Sequence, residues 1–152
     1  MKNNKGFSII ELIVSFTICT VIMIILFQIV LVLKELYEKS AIKTTLLNKQ
    51  NIITNLIYKD ILEKGLNNAD SCGEYCIEFI FNDNSTEVLE YISDDNGTLS
   101  YGDYVTEVLG GTTVNEVEVS FQNNIISAKM PLTHKLFNNK DFGINIVHYK
   151  ST

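Results

Sequence analysis

The sequence contains no arginine and no tryptophan, and its single proline is Pro131. Twelve lysines stand against 18 acidic residues, so the formal net charge is −6. A protein that binds nucleic acid by neutralising phosphates needs a basic surface, and arginine is the side chain best suited to that role. The absence of arginine also excludes bidentate guanidinium–phosphate contacts. The composition therefore argues against nucleic acid as the main partner.

Histidine and cysteine are also scarce, with two and three copies in 152 residues. Their spacing does not match the paired ligands of a structural zinc site. The sequence shows no catalytic triad, no carboxylate dyad and no phosphate-binding loop. We therefore predict no enzymatic activity, no catalytic residue and no resident cofactor. The three cysteines are Cys19, Cys72 and Cys76, and the two histidines are His134 and His148.

The apolar residues are concentrated near the N-terminus, where residues 12–33 include no charged side chain. As a helix, this run would span roughly 33 Å, which is enough to cross a hydrocarbon core of about 30 Å. A helix in a soluble core would need a polar face toward water, and this run has only scattered serine, threonine and glutamine. We expect a single membrane-spanning helix.

A cleavable secretory signal is the main alternative to a permanent anchor. Lys2 and Lys5 would supply its basic start. However, the apolar run exceeds the usual length of about 7–15 residues, and its end offers no Ala-x-Ala-like site. The two lysines ahead of the run favour a cytoplasmic N-terminus, with the remaining chain on the outer side of the membrane.

Glu11 is the one acidic residue in this N-terminal apolar region. A carboxylate inside a bilayer costs about 2.5–3.5 kcal/mol on insertion scales, so it requires a partner or a functional role. Alternatively, the side chain lies at headgroup depth and contacts water. The residue alone does not decide between these two interpretations.

The residues around Glu11, Lys5-Gly6-Phe7-Ser8-Ile9-Ile10-Glu11-Leu12, closely resemble the N-terminal processing signal of type IV pilins and pseudopilins. In that family a prepilin peptidase cuts after the glycine, and the new N-terminal residue is N-methylated. The resemblance implies cleavage between Gly6 and Phe7, methylation of Phe7, and pairing of Glu11 with the Phe7 amine of a neighbouring subunit. Such a pair would neutralise two charges that are each costly in lipid.

The same resemblance implies a structural role as a minor pilin or pseudopilin, with some similarity to the J-type pseudopilins, in a type IV pilus-like filament. Its partners would be other pilin subunits, the prepilin peptidase and the inner-membrane assembly platform. The precursor would be a single-pass protein of the cell membrane, and the assembled subunit would belong to an extracellular filament. Alternatives are a tip or adhesion subunit, a competence (DNA-uptake) or type II secretion pseudopilin, and a plain anchored protein without a filament.

An amphipathic pattern extends the helix beyond the apolar run. Apolar residues recur at helical spacing among lysines and acids, and Gly65 is a plausible C-cap. We predict one helix over residues 7–66. The chain would then comprise a cleaved basic leader (1–6), an apolar helix (7–33), an amphipathic half of the same helix (34–66) and a β-rich head (67–152). The predicted apolar stripe consists of Ile42, Leu46, Ile53, Ile57 and Ile61.

The remaining sequence alternates between apolar and polar residues, which is typical of half-buried strands. Asn96-Gly97 and Asn123-Asn124 are hairpin-turn signals. Pro131 should end a strand, and residues 132–142 should form a long connection. The fold class is α+β, with an antiparallel β-meander packed on the amphipathic half of the helix, and the resemblance implies the lollipop shape of pilins. Strands are predicted over residues 77–82, 86–93, 104–109, 114–121, 125–130 and 143–149.

Cys72 and Cys76 follow the predicted helix closely and would lie on the outer side, where disulfides persist. We favour a disulfide between them, which would fasten the junction of helix and sheet; two free thiols or half of a metal site are the alternatives. Cys19 lies in the apolar run and is interpreted as an unreactive small hydrophobic residue.

No basic residue lies between Lys64 and Lys129, whereas 12 acidic residues do. The simplest interpretation is the solvated face of alternating strands; a partner surface or a cation site is the alternative. Asp83, in residues 82–84, and Asp94 and Asp95, in residues 94–97, are weak calcium candidates. Neither of these two stretches is followed by the glutamate of an EF-hand loop, and hairpin turns explain both. We predict no metal site.

Overall fold

The computed structural model describes residues 8–93, 97–108, 110–137 and 142–150. These described residues form one long helix followed by ten antiparallel strands. Two compact units are present, Met1–Ala41 and Ile42–Thr152, and the boundary between them falls inside the helix. The α+β fold class predicted from the sequence is confirmed.

Helix α1 (Ile9–Lys64) ends at the predicted C-cap, Gly65, and Leu66, predicted to belong to the helix, begins the first strand instead. Gly65 has a φ of +69°, and its N–H donates to the Ile61 carbonyl at 2.9 Å, which closes the last turn. A residue with a Cβ disfavours this left-handed conformation, whereas glycine adopts it freely. Within Ile42–Thr152, four residues of the predicted stripe are buried, while Ile42 is half-buried; the buried residues are Leu46, Ile53, Ile57 and Ile61.

Five strands form one antiparallel meander in sequence order, and they confirm the predicted β-meander for this part of the chain. In the second strand apolar residues point alternately into the core, because successive side chains of a strand lie on opposite faces. The first and fourth strands were not predicted. The strands are β1 (Leu66–Gly73), β2 (Cys76–Phe81), β3 (Thr86–Ile92), β4 (Thr98–Tyr101) and β5 (Tyr104–Glu107).

The second half of the β-rich region forms two further sheets rather than an extension of the meander. One has the strand order β10-β8-β7 and the other pairs β6 with β9. A short 3-10 helix (Lys135–Phe137) follows β9. The strands are β6 (Thr112–Val114), β7 (Glu118–Gln122), β8 (Ile125–Met130), β9 (Leu132–His134) and β10 (Ile144–Tyr149).

Two sequence predictions in this half are wrong. The predicted strand over 114–121 is divided between β6 and β7, which belong to different sheets. The predicted connection over 132–142 contains β9. Pro131 explains both differences: it has no N–H to continue the ladder of β8, and its carbonyl accepts a hydrogen bond from Asn115 at 3.1 Å. The chain therefore leaves one sheet at Pro131 and enters the other.

The turn between β7 and β8 is the predicted Asn123-Asn124 hairpin. Both residues have positive φ, 50° and 63°, which asparagine tolerates better than most residues and which suits the twist of adjoining strands. In the other predicted turn, Asn96 lies outside the described residues, whereas Gly97 has a φ of +68°. These short turns keep sequential strands adjacent.

Candidate functional site

The predicted processing signal begins just ahead of the described part of the chain. Gly6 and Phe7, between which cleavage is expected, both lie outside the described residues. The geometry of the N-terminal element therefore starts at Ser8, immediately before α1.

Glu11 lies in the first turn of α1, where its carboxylate accepts a hydrogen bond from the residue that precedes the helix. The N–H of Ser8 donates to Glu11 Oε2 at 3.1 Å, and the N–H of Leu12 donates to the Ser8 carbonyl at 3.2 Å. The N–H groups at the start of a helix lack intrahelical partners. A glutamate three residues after the N-cap commonly accepts the N–H of the N-cap residue. This contact was not predicted from the sequence, although the Ser-x-x-Glu spacing is typical of it.

The apolar run forms a continuous exposed surface within Met1–Ala41. Its large apolar side chains are exposed by 49% or more, from Met23 at 73% to Ile29 at 49%. Among the described residues, α1 is the one helix long and apolar enough to cross a membrane. This helix fits a single-pass membrane anchor.

Two threonines within the run satisfy their hydroxyls locally. Thr17 Oγ1 donates to the Val14 carbonyl and Thr20 Oγ1 donates to the Thr17 carbonyl, both at 2.8 Å. Such back-bonding lets a hydroxyl lie in hydrocarbon without an external partner. The Gln28 side chain makes no hydrogen bond among the described residues, and Cys19 is an exposed free thiol. The Gln28 amide therefore has donors and an acceptor that a neighbouring helix could satisfy.

Charged residues resume where the apolar run ends. Lys34 pairs with Glu38 at 3.8 Å, and Lys39 pairs with Glu35 at 2.6 Å, each one helical turn apart. The hydrogen bond and charge of Lys39 hold the pKa of Glu35 below its usual value. These exposed pairs mark the end of the surface that could contact lipid.

The C-terminal end of α1 is fastened to the five-stranded sheet by a polar network. Tyr101 donates its hydroxyl proton to Asp60 Oδ2 at 2.9 Å, while Lys64 pairs with Asp60 at 3.8 Å and with Glu87 at 3.4 Å. The Lys64 ammonium also lies 5.0 Å from the centroid of the Phe81 ring. Burial, followed by the hydrogen bond to Asp60, raises the pKa of Tyr101 well above its usual value. This network holds the helix end in place.

Cys72 and Cys76 form a disulfide, as predicted, with their Cα atoms 5.1 Å apart. The expectation that it fastens the junction of helix and sheet is wrong. Because β1 begins at Leu66 and runs away from α1, the disulfide closes the far turn of the β1–β2 hairpin. β1 was not predicted because its sequence is polar and lacks the alternation of apolar and polar residues that is typical of strands.

Asp83, one of the weak calcium candidates, lies in the turn between β2 and β3. Its Oδ1 accepts hydrogen bonds from the Ser85 hydroxyl at 2.6 Å and from the Ser85 N–H at 2.9 Å. These bonds lower the pKa of Asp83, with the hydroxyl contributing most. Asp94 and Asp95 lie outside the described residues. Within the described ranges, no three His, Cys, Asp or Glu side chains are grouped as metal ligands.

The two histidines lie apart, on different sheets. His134, in β9, is buried, and its Nδ1 accepts the Leu136 N–H at 3.2 Å. Its ring lies 5.8 Å from that of Phe137. His148, in β10, lines a small cleft with Asn82 and Lys150. His134 is thus a packed side chain with its acceptor nitrogen satisfied.

Comparison with known proteins identifies the N-terminal element. Residues 1–27 match the family described as the prokaryotic N-terminal methylation motif. Searches of curated proteins and of solved structures gave no match. The matched segment includes Gly6, Phe7 and Glu11, the residues on which the resemblance depends. The chain therefore carries the prokaryotic N-terminal methylation motif at its N-terminus, and this motif supports its assignment to the type IV pilin and pseudopilin family.

Proposed function

We propose that this protein is a minor pilin or pseudopilin that is made as a membrane-anchored precursor and assembled into a type IV pilus-like filament. The precursor is cut between Gly6 and Phe7 by a prepilin peptidase, and Phe7 is N-methylated. The N-terminus faces the cytoplasm and the β-rich unit lies outside. The observation that carries the proposal is the methylation motif at residues 1–27, which runs directly into an uncharged helical surface.

The exposed apolar surface of α1 requires a cover. In the precursor, lipid would cover it, because an uncharged helix of this length matches the hydrocarbon core. In a filament, the corresponding helices of neighbouring subunits would replace the lipid. Helices packed together would also give Gln28 a hydrogen-bond partner, which lipid cannot supply. The apolar surface is thereby covered in both environments, whereas Gln28 gains a partner in the filament.

Glu11 would exchange partners during assembly. In the single subunit its carboxylate caps the helix through the Ser8 N–H. In the filament it would pair with the α-amine of Phe7 on a neighbouring subunit. A helix cap is a weak contact compared with a paired buried charge, so the exchange would favour the assembled state and fix the register of the subunits.

Substitution of Gly6 tests the proposal. In the native host, Gly6→Leu precursor should keep its full length, remain in the membrane fraction and be absent from sheared filaments. Asn4→Ala is the matched control in the leader, and it should be cut and assembled normally. A Gly6→Leu protein that is still shortened, or a wild-type protein that never enters the filament fraction, would contradict the proposal and favour a plain single-pass anchored protein.

A further inference from the structure

The turn closed by the disulfide carries hydrogen bonds from two separate segments of the β-rich unit. The carbonyl of Tyr75 accepts the Tyr91 N–H at 3.0 Å, which extends the β2–β3 ladder into the turn. The carbonyl of Glu74 accepts the Val117 N–H at 3.4 Å. Val117 lies between β6 and β7 and is buried. The turn thus contacts a segment that belongs to neither of its own strands.

A second connection joins the same turn to the other end of that segment. The ring of Tyr75 packs edge-on against the ring of Tyr91, with centroids 6.4 Å apart. Tyr91 in turn donates its hydroxyl proton to the carbonyl of Thr112 at 2.8 Å, in a buried position. Thr112 is the first residue of β6. Both ends of the segment Thr112 to Val117 are therefore tied to the disulfide-closed turn.

The segment has little regular structure of its own. β6 has three residues, and residues 115–117 between β6 and β7 belong to no strand. Outside the sheets, two described backbone N–H groups of this segment donate hydrogen bonds: that of Val117 to the Glu74 carbonyl and that of Asn115 to the Pro131 carbonyl. β6 is held by its ladder to β9, whereas Val117 lies beyond that ladder and donates its N–H to the Glu74 carbonyl. The Val117 end of the segment therefore depends most on the disulfide-closed turn, because local opening is governed by the local density of bonds and packing.

From these contacts we infer that the Cys72–Cys76 disulfide is a redox-sensitive latch for the segment Thr112 to Val117, and so for the junction between the five-stranded sheet and the two later sheets. When the disulfide is closed, the turn holds the Glu74 and Tyr75 carbonyls in place. When it is open, the turn loses its covalent closure and the Glu74 carbonyl no longer holds Val117. This inference concerns the β-rich unit alone and does not depend on the proposed filament.

The chemistry of opening is a thiol–disulfide exchange. A small dithiol donates two electrons and two protons overall, so that the Sγ–Sγ bond is replaced by two thiols and the dithiol becomes a cyclic disulfide. Cys72 is exposed, which gives the attacking thiolate access to its sulfur. Cys19 lies in the other compact unit and takes no part in the exchange.

Residue-resolved amide hydrogen exchange on the full chain in detergent tests this inference. Oxidised protein is compared with protein reduced by dithiothreitol, and the Cys72→Ser/Cys76→Ser variant is compared with Cys19→Ser as the matched control. On opening, exchange of the Val117 amide should accelerate by at least about tenfold, with a smaller change at Tyr91. The Gly65 and Asn82 amides, at the opposite end of the β1–β2 hairpin, should be unchanged.

Two results would overturn the latch. One is unchanged exchange at Val117 after complete reduction, shown by alkylation of both thiols. The other is an equal acceleration at Gly65, Asn82 and Val117, which would make the disulfide a general stabiliser of the unit. Reduction of the wild-type chain keeps the test valid even where the double serine variant does not fold.

Discussion

The N–H of Ser8 donates a hydrogen bond to the carboxylate of Glu11 at 3.1 Å, so the acid of the apolar segment has a partner within its own chain. The contact satisfies the N–H of the N-cap residue, and the carboxylate places negative charge at the positive end of the helix dipole. In an isolated subunit, the Glu11 carboxylate therefore already accepts one hydrogen bond without a neighbouring subunit. The proposed role of Glu11 in assembly therefore rests on its charge rather than on this hydrogen bond.

Two substitutions of Glu11 separate charge from capping. Glu11→Gln keeps an oxygen that can accept the Ser8 N–H, whereas Glu11→Val removes both oxygen and charge. Both should insert, because each removes a charge from lipid, and both should be cut after Gly6. Neither should enter filaments, because the neighbour's Phe7 amine would be buried without a counter-charge at a cost of several kcal/mol. Processed subunit is measured in membrane and sheared-filament fractions.

The glutamine variant gives the sharper outcome. Normal incorporation of Glu11→Gln together with failure of Glu11→Val would make the helix cap, and not the charge, the feature that assembly needs. Ile10→Val serves as a control for small changes in the same helical turn, and it should assemble like the wild type.

Tyr101→Phe should loosen the end of α1. The substitution removes the hydroxyl that donates to Asp60 and preserves the ring in the core, so the free energy of unfolding should fall by about 1 kcal/mol. Tyr104→Phe is the matched control, since Tyr104 faces Tyr101 across the β4–β5 hairpin and is only half-buried. Chemical denaturation of the full chain in detergent, followed by circular dichroism, measures both.

The same tyrosine predicts a loss of stability at alkaline pH. Burial and the Asp60 carboxylate raise the pKa of Tyr101 in the folded state, so the folded chain keeps a proton that the unfolded chain releases above about pH 10. The contribution is fully present below that pH and is lost progressively as the pH rises. Wild-type stability should fall above about pH 10 more steeply than that of Tyr101→Phe, and parallel curves for the two proteins would contradict the assignment.

The backbone conformation of Asn124 in the β7–β8 turn leads us to expect that alanine and glycine at this position change stability differently. Asn124 has a φ of +63°, a conformation that costs an alanine roughly 1–2 kcal/mol and a glycine nothing. Asn124→Ala should therefore destabilise the β-rich unit by about 1 kcal/mol, and Asn124→Gly should be neutral or slightly stabilising. Asn145→Ala, on the exposed face of β10, is the control. Equal effects of alanine and glycine at position 124 would contradict the turn geometry.

Local chemical signals explain the parts of the fold that the sequence analysis predicted. Gly65 ends α1 because its left-handed conformation closes the last turn, and the Asn123-Asn124 pair forms a hairpin because both residues tolerate positive φ. The helical stripe of Ile53 and Ile57 is buried because its period matches one face of a helix. Each of these features depends on residues a few positions apart.

The parts that were missed depend on residues far apart in the sequence. β1 is rich in asparagine and becomes a strand because β2 pairs with it, from Leu66 opposite Phe81 to Gly73 opposite Cys76. β6 and β9 exist only through each other, with Thr112 paired to His134 across 22 positions. No local pattern carries that information. The position of the disulfide was misjudged for the same reason, because β1 was unknown.

The intact mass of the protein isolated from its native host tests the central claim most directly. Cleavage between Gly6 and Phe7 with N-methylation predicts a chain that lacks Met1–Gly6 and carries one additional methyl group. Removal of Lys2 and Lys5 would also change the formal net charge from −6 to −8. A full-length, unmethylated chain in a host that contains an active prepilin peptidase would contradict the assignment.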